Sequence, residues 1–85
     1  MAKFNVKKTF GTSIKTWRSQ LGISQEELAK RAHMHRTYIS DVERGARNLS
    51  LENITKFARA LDISVSTLFS QELQRKKPMP QKNGG

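Results

Sequence analysis

Arg36, Thr37, Tyr38, Ser40, Asp41 and Arg44 lie in one short stretch, RTYISDVER, and share the polar side of a helical period. Ile39 and Val42 occupy the opposite side of that period. These polar types suit the reading of nucleic-acid bases. An arginine in the first turn of a helix in the major groove can bond guanine O6 and N7 together. That makes Arg36 the leading base reader. Thr37 offers a hydroxyl to a base or phosphate and a methyl to thymine, and Tyr38 is long enough for the backbone or a base. Ser40 and Arg44 suit phosphate. Asp41 would repel phosphate, so it either points away or accepts from cytosine N4.

Catalysis and metal binding find no such support. Serine, histidine and aspartate are present, but without a nucleophile elbow, a phosphate-binding glycine loop or paired metal ligands. His33 and His35 stand two apart with no cysteine and no acidic cluster beside them, fewer ligands than zinc needs. No cofactor and no small-molecule ligand is expected.

Local signals place the stretch on a helix. Ser24 followed by Glu27 is a capping-box pattern, in which each side chain bonds an orphan backbone N–H. It opens a helix over about 25–32, with Leu28, Ala29 and Ala32 on one face and Ala29 small enough for a close crossing. His33-Met34-His35 breaks the period. His33 is expected in the left-handed backbone region and His35 as the cap of the next helix, about 36–44, which Gly45 stops. Upstream, Phe10, Ile14, Trp17 and Leu21 make one apolar stripe on a helix over about 6–20, ended by Gly22. Ile23 is placed for a staple onto the second helix. Downstream, Ser50 caps a helix over about 51–61, with Leu51, Ile54, Ala58 and Leu61 inward and Phe57 beside them. Ser64 caps a fifth helix carrying Val65, Leu68, Phe69 and Leu73. Residues 1–5 read as a frayed N-terminus, 6–73 as one domain, and 74–85 as a flexible basic tail with two prolines and no acid.

With 85 residues there is room for one modest core. No cysteine supports it, which suits a cytoplasmic protein. Neither a signal peptide nor a membrane-spanning run is read. Lysine and arginine total 16 against 7 acids, a net charge of +9. Such a balance points to a polyanion, nucleic acid ahead of an anionic membrane surface, because the apolar faces are taken up as core.

Four motifs in combination, SQEELA, RTYISDVERG, RNLSLENI and ALDISVSTLF, resemble the Cro/CI-type helix-turn-helix family, the phage-repressor kind of DNA-binding domain. The likeness runs from about Phe10 to Phe69. Within the family, RTYISDVERGARNLSLENI looks most like the controller proteins of restriction–modification systems. This chain departs from the family by His33 in the turn, where glycine is usual, and by His35 before the second helix, where Ser, Asp or Asn is usual. Leu49 stands where proline is frequent.

The resemblance implies an all-α, compact five-helix bundle, lambda-repressor-like, acting as a homodimeric transcriptional regulator on a near-palindromic operator and regulating its own gene. It puts Gln25 and Asn48 on the DNA backbone with Ser40 and Arg44, and adds Arg47 to Arg36, Thr37 and Tyr38 as a base reader. Arg18 and Glu43 match a structural ion pair. Ile63, Val65, Leu68 and Phe69 fall where a second subunit docks. The exposed side of the second helix, Glu26, Lys30 and Arg31, is a face that can touch RNA polymerase in such proteins. The competing function is an antitoxin or other regulator whose main partner is a protein. It would need a large apolar patch beyond the dimer surface, and none is evident.

Overall fold

The computed structural model describes residues 5–69. Four helices follow one another: α1 (Val6–Leu21), α2 (Gln25–Ala32), α3 (Arg36–Glu43) and α4 (Leu51–Leu61). A fifth, α5, occupies residues 65–69 up to the limit of description. Residues 1–4, Leu73 and the basic tail lie outside the described residues.

Most ends are set by local chemistry. Asn5, Ser24, Ser50 and Ser64 each accept a first-turn backbone N–H, from Lys8, Glu27, Asn53 and Thr67 respectively. Gly22, His33 and Asp62 take the left-handed conformation that ends α1, α2 and α4. Two expected caps differ. Only half of the capping box forms, because the Glu27 carboxylate turns to Arg31 at 3.0 Å, a partner one helical turn away. His35 stands at the N-cap of α3 but makes no side-chain capping bond. The start of α3 is held by the His35 carbonyl, which accepts from Tyr38 and Ile39.

The helices close over one core of Phe10, Ile14, Leu28, Ala29, Ile39, Val42, Phe57, Ala58, Leu61 and Leu68. Phe10 meets Phe57 edge-on at 5.6 Å and Phe69 at 5.3 Å. Each fully buried Phe, Ile, Leu or Val of this core stabilises the fold by about 1.5–3 kcal/mol. Ser13, the one buried polar residue among those described, donates to the Leu68 carbonyl and ties α1 to α5. Three expectations change. Leu21 is 46% exposed, because it is the last residue of α1, where Gly22 turns the chain away. Leu51 is 84% exposed, because it precedes the part of α4 that packs inward. Leu68, expected at a subunit interface, is 1% exposed and belongs to the core of the single chain.

Gly11 sets the crossing of α1 over α3. A Cβ there would stand 2.2 Å from the Val42 carbonyl oxygen and 2.8 Å from that of Glu43. Ala29, expected at a close crossing, is buried in the core on α2. Gly11 brings the C-terminal turn of α3 against α1, which is where the Arg18 side chain reaches it.

Candidate nucleic-acid interface

The turn between α2 and α3 is closed by backbone bonds from His33 N–H to the Lys30 carbonyl and from Met34 N–H to the Ala29 carbonyl. His33 adopts φ 58° and ψ 49°, as its position requires. With Ile39 and Val42 buried, α3 can present only its other side. Arg36 and Thr37 are exposed there, and Tyr38, Ser40 and Asp41 are half-buried. Arg44, at the C-cap, is exposed, as are Arg47 and Asn48 in the following loop.

A relay of side chains fixes the N-terminal end of this face. Arg18 grips Glu43 with two donors, Nε at 2.7 Å and Nη2 at 3.2 Å, and its Nη1 holds the Ile23 carbonyl at 3.0 Å. The pair is largely shielded, with side-chain exposures of 15% and 5%. Glu43 also accepts from Gln25 Nε2 at 3.0 Å, and the Gln25 carbonyl oxygen accepts from Arg36 Nη1 at 3.2 Å. The start of α3 is therefore tied to the start of α2 through the Gln25 amide, and Glu43, at the end of α3, anchors that amide to Arg18 of α1. Both starts carry the partial positive charge of a helix N-terminus.

A second cluster fixes the other end. Asp41 accepts from Arg47 Nε at 3.2 Å and from Arg44 Nη2. These two guanidinium groups hold its carboxyl below the ordinary value of 3.8, the Arg47 bond first and the Arg44 bond second. Arg47 also lies 5.1 Å over the Tyr38 ring, within cation–π range. Tyr38 is less free than its length suggested. Its ring stacks at 6.3 Å on Phe57, and its hydroxyl accepts from Asn53 Nδ2 at 3.0 Å.

Asn53 and Lys56 were not singled out in the sequence. They line an open depression of about 430 Å³ between α3 and α4, together with His33, Met34, His35, Thr37, Tyr38 and Arg47. The signal for Asn53 was its place at the third residue of α4, one turn from the Ser50 cap. Thr37, Tyr38 and Arg47 thus line one depression, Arg36 joins Gln25, and Arg44 joins Arg47 through Asp41; Ser40 lies on α3 and Asn48 is exposed in the loop, while Ile63, Val65 and Phe69 lie elsewhere, at the α4–α5 end. There Val65 is 39% exposed and Ile63 and Phe69 pack partly on the core. No group of three or more His, Cys, Asp or Glu capable of holding a metal occurs among the described residues. No helix among them is long and apolar enough to cross a membrane.

A helix-turn-helix family model matches residues 14–68. The chain is 46% identical over 65 residues to the control protein C.BamHI of Bacillus amyloliquefaciens, covering 75% of this chain and 80% of that protein. Its fold is similar to the restriction-modification controller protein C.AhdI from Aeromonas hydrophila, with TM-score 0.74, 44% identity, and coverage of 78% of this chain and 100% of that one. It is also similar to the controller protein C.Esp1396I, seen as a tetramer with its natural 35 base-pair operator, with TM-score 0.74, 32% identity, and coverage of 86% and 95%.

Proposed function

The chain belongs to the helix-turn-helix family, and from that premise we propose that it is a transcriptional regulator of the restriction–modification controller kind, reading operator DNA with α3. It is not an enzyme. Its partners are double-stranded DNA and further copies of itself, as for the controller C.Esp1396I in its tetramer–operator complex. The observation that carries the assignment of the reading surface is the exposed first turn of α3, where Arg36 is held by Gln25 at the neighbouring start of α2.

Arg36, Thr37, Tyr38 and Arg47 read bases in this proposal. Gln25, Ser40, Arg44 and Asn48 grip phosphate and set the register, because backbone contacts position a protein without carrying sequence information. Gln25 suits both duties: its carbonyl holds Arg36, and the amide hydrogen not given to Glu43 is left for an anion at a helix start. Two subunits would meet through Val65, Ile63 and Phe69, placing two copies of α3 in major grooves about one helical turn (~34 Å) apart. The exposed side of α2, Glu26, Lys30 and Arg31, is the surface offered for RNA polymerase, and a cytoplasmic location fits the role.

Footprinting on the DNA upstream of the chain's own gene tests the proposal. Protection of two half-sites related by approximate two-fold symmetry supports it. Uniform protection at every sequence would leave a non-specific DNA binder, and no protection would remove the operator reading.

A further inference from the structure

Asp41 is an acid in the middle of a face meant for a polyanion, on a chain of net charge +9. A free carboxylate there would oppose every phosphate that came near. Here it is not free. Its two oxygens take one hydrogen each from Arg47 and Arg44. The Asp41 side chain is only 20% exposed, while those of Arg44 and Arg47 are 65% and 47% exposed.

A guanidinium has five donors in a planar fork. Asp41 occupies Nε of Arg47 and leaves the four hydrogens on Nη1 and Nη2 for other partners. The ring of Tyr38 supports the same group from below, and Tyr38 is itself pinned by Asn53 and Phe57. Arg47 sits on a loop and would otherwise sample many rotamers. Ordering a long side chain before binding removes a cost that would otherwise fall on the complex.

We propose that Asp41 is a specificity-determining residue of the DNA interface, acting through Arg47. By holding Nε it aims the free edge of the fork for base recognition. By adding a negative charge to the face it weakens the attraction common to all DNA. The inference rests on the DNA reading given above. It makes Asp41 a positioning residue with no base contact of its own.

The loop does not depend on the Asp41 side chain. Its course is held by backbone bonds from Gly45 N–H to the Val42 carbonyl and from Ala46 N–H to the Asp41 carbonyl, both 2.9 Å. Asp41→Asn is therefore a usable variant, with circular dichroism as the check on folding.

The experiment first selects a preferred duplex from a random library with the wild-type protein. Wild type, Asp41→Asn, Arg47→Ala and the double variant are then titrated against that duplex and a scrambled one, at two salt concentrations. Asp41→Asn should bind the scrambled duplex several-fold tighter. Its salt dependence there should be steeper by about 0.9 for each phosphate newly neutralised. Its affinity for the preferred duplex should not rise, so the ratio of the two falls about tenfold. In the Arg47→Ala background the same change should move both affinities by one factor.

Equal gains on both duplexes in the wild-type background would overturn the inference, leaving Asp41 a simple repeller. An equal fall of the ratio with and without Arg47 would also overturn it, because Asp41 would then read a base itself. A wild-type protein that selects no preferred duplex would sink the DNA reading and the inference together. A selective wild type with an unchanged Asp41→Asn ratio sinks the inference alone.

Discussion

Glu43→Gln is the most informative single change for the fold beneath the interface. The Glu43 carboxylate accepts three hydrogen bonds, two from Arg18 and one from Gln25, and its side chain is 5% exposed. An amide in its place removes the charge and turns one acceptor into a donor, which then faces a donor of Arg18 or Gln25. Arg18, 15% exposed, is left as a cation without its counter-charge. Removing one partner of a buried pair costs about 3–5 kcal/mol, and the residual exposure of Arg18 brings the figure here to about 2–4 kcal/mol. In a domain of this size each kcal/mol moves the melting midpoint by about 4–8 °C, so a fall of roughly 8–32 °C is expected in thermal circular dichroism. The double variant Arg18→Met with Glu43→Leu should regain most of the loss, since apolar side chains of similar volume need no counter-charge. A cost below about 1 kcal/mol for Glu43→Gln would refute the reasoning, because the pair would then be as weak as a solvated one.

Substitutions at four other positions probe separate claims. Arg36→Ala should leave stability intact, the side chain being exposed, and should remove about 1–3 kcal/mol per subunit on the preferred duplex, with little loss on scrambled DNA. Arg36→Lys should rescue only in part, and equal losses on both duplexes would make Arg36 a phosphate contact. Gly11→Ala gains about 1 kcal/mol of helix propensity but drives a Cβ into the Val42 carbonyl. The clash, which costs about 1–3 kcal/mol or more against backbone that cannot give way, should outweigh that gain, read as a lower urea midpoint, and an unchanged midpoint would contradict the α1–α3 spacing. Leu68→Asp should unfold the chain because Leu68 is core, whereas Val65→Asp should give a folded monomer by sedimentation. A Val65→Asp protein that stays dimeric would put the subunit contact elsewhere.

Helix ends were legible because their causes sit within a few residues. A serine and the N–H three positions on, or a glycine after the last apolar residue, are visible in any window of the chain. The bounds of α2 and the start of α4 follow from Ser24, His33 and Ser50, whereas the left-handed Asp62 that ends α4 was not read. The misjudged residues are those where a local pattern met a competitor or lost its tertiary partner. Glu27 had Arg31 within reach as well as the Ser24 N–H. Leu21 and Leu51 kept the helical period but stand at helix ends. Gly11 did carry a signal: a glycine inside a helical pattern costs about 1 kcal/mol and asks for a packing reason. What it could not show was which backbone lies above it, since Val42 is remote in sequence.

The interface divides along a different line. The net charge announced a polyanion, but a total says nothing about which cations are fixed. Four arginines, Arg18, Arg31, Arg44 and Arg47, are held by carboxylates, and Arg36 is held by an amide. No ion pair involving a lysine occurs among the described residues. The division follows the chemistry of the two groups. A planar fork can give one edge to a protein carboxylate and keep another for a ligand, whereas an ammonium is a strongly hydrated point charge on a free stem. In the proposed DNA reading the arginines therefore supply geometry, and lysines such as Lys30 and Lys56 a diffuse attractive field. Arg47→Lys separates the two contributions without changing the total charge. An ammonium over Tyr38 keeps the field but cannot hold Asp41 with Nε while offering a second edge to a base. It should leave binding to scrambled DNA near wild type and weaken binding to the preferred duplex. Equal affinities of Arg47→Lys and wild type for both duplexes would show that charge alone suffices at this position, and that the loop contributes attraction without recognition.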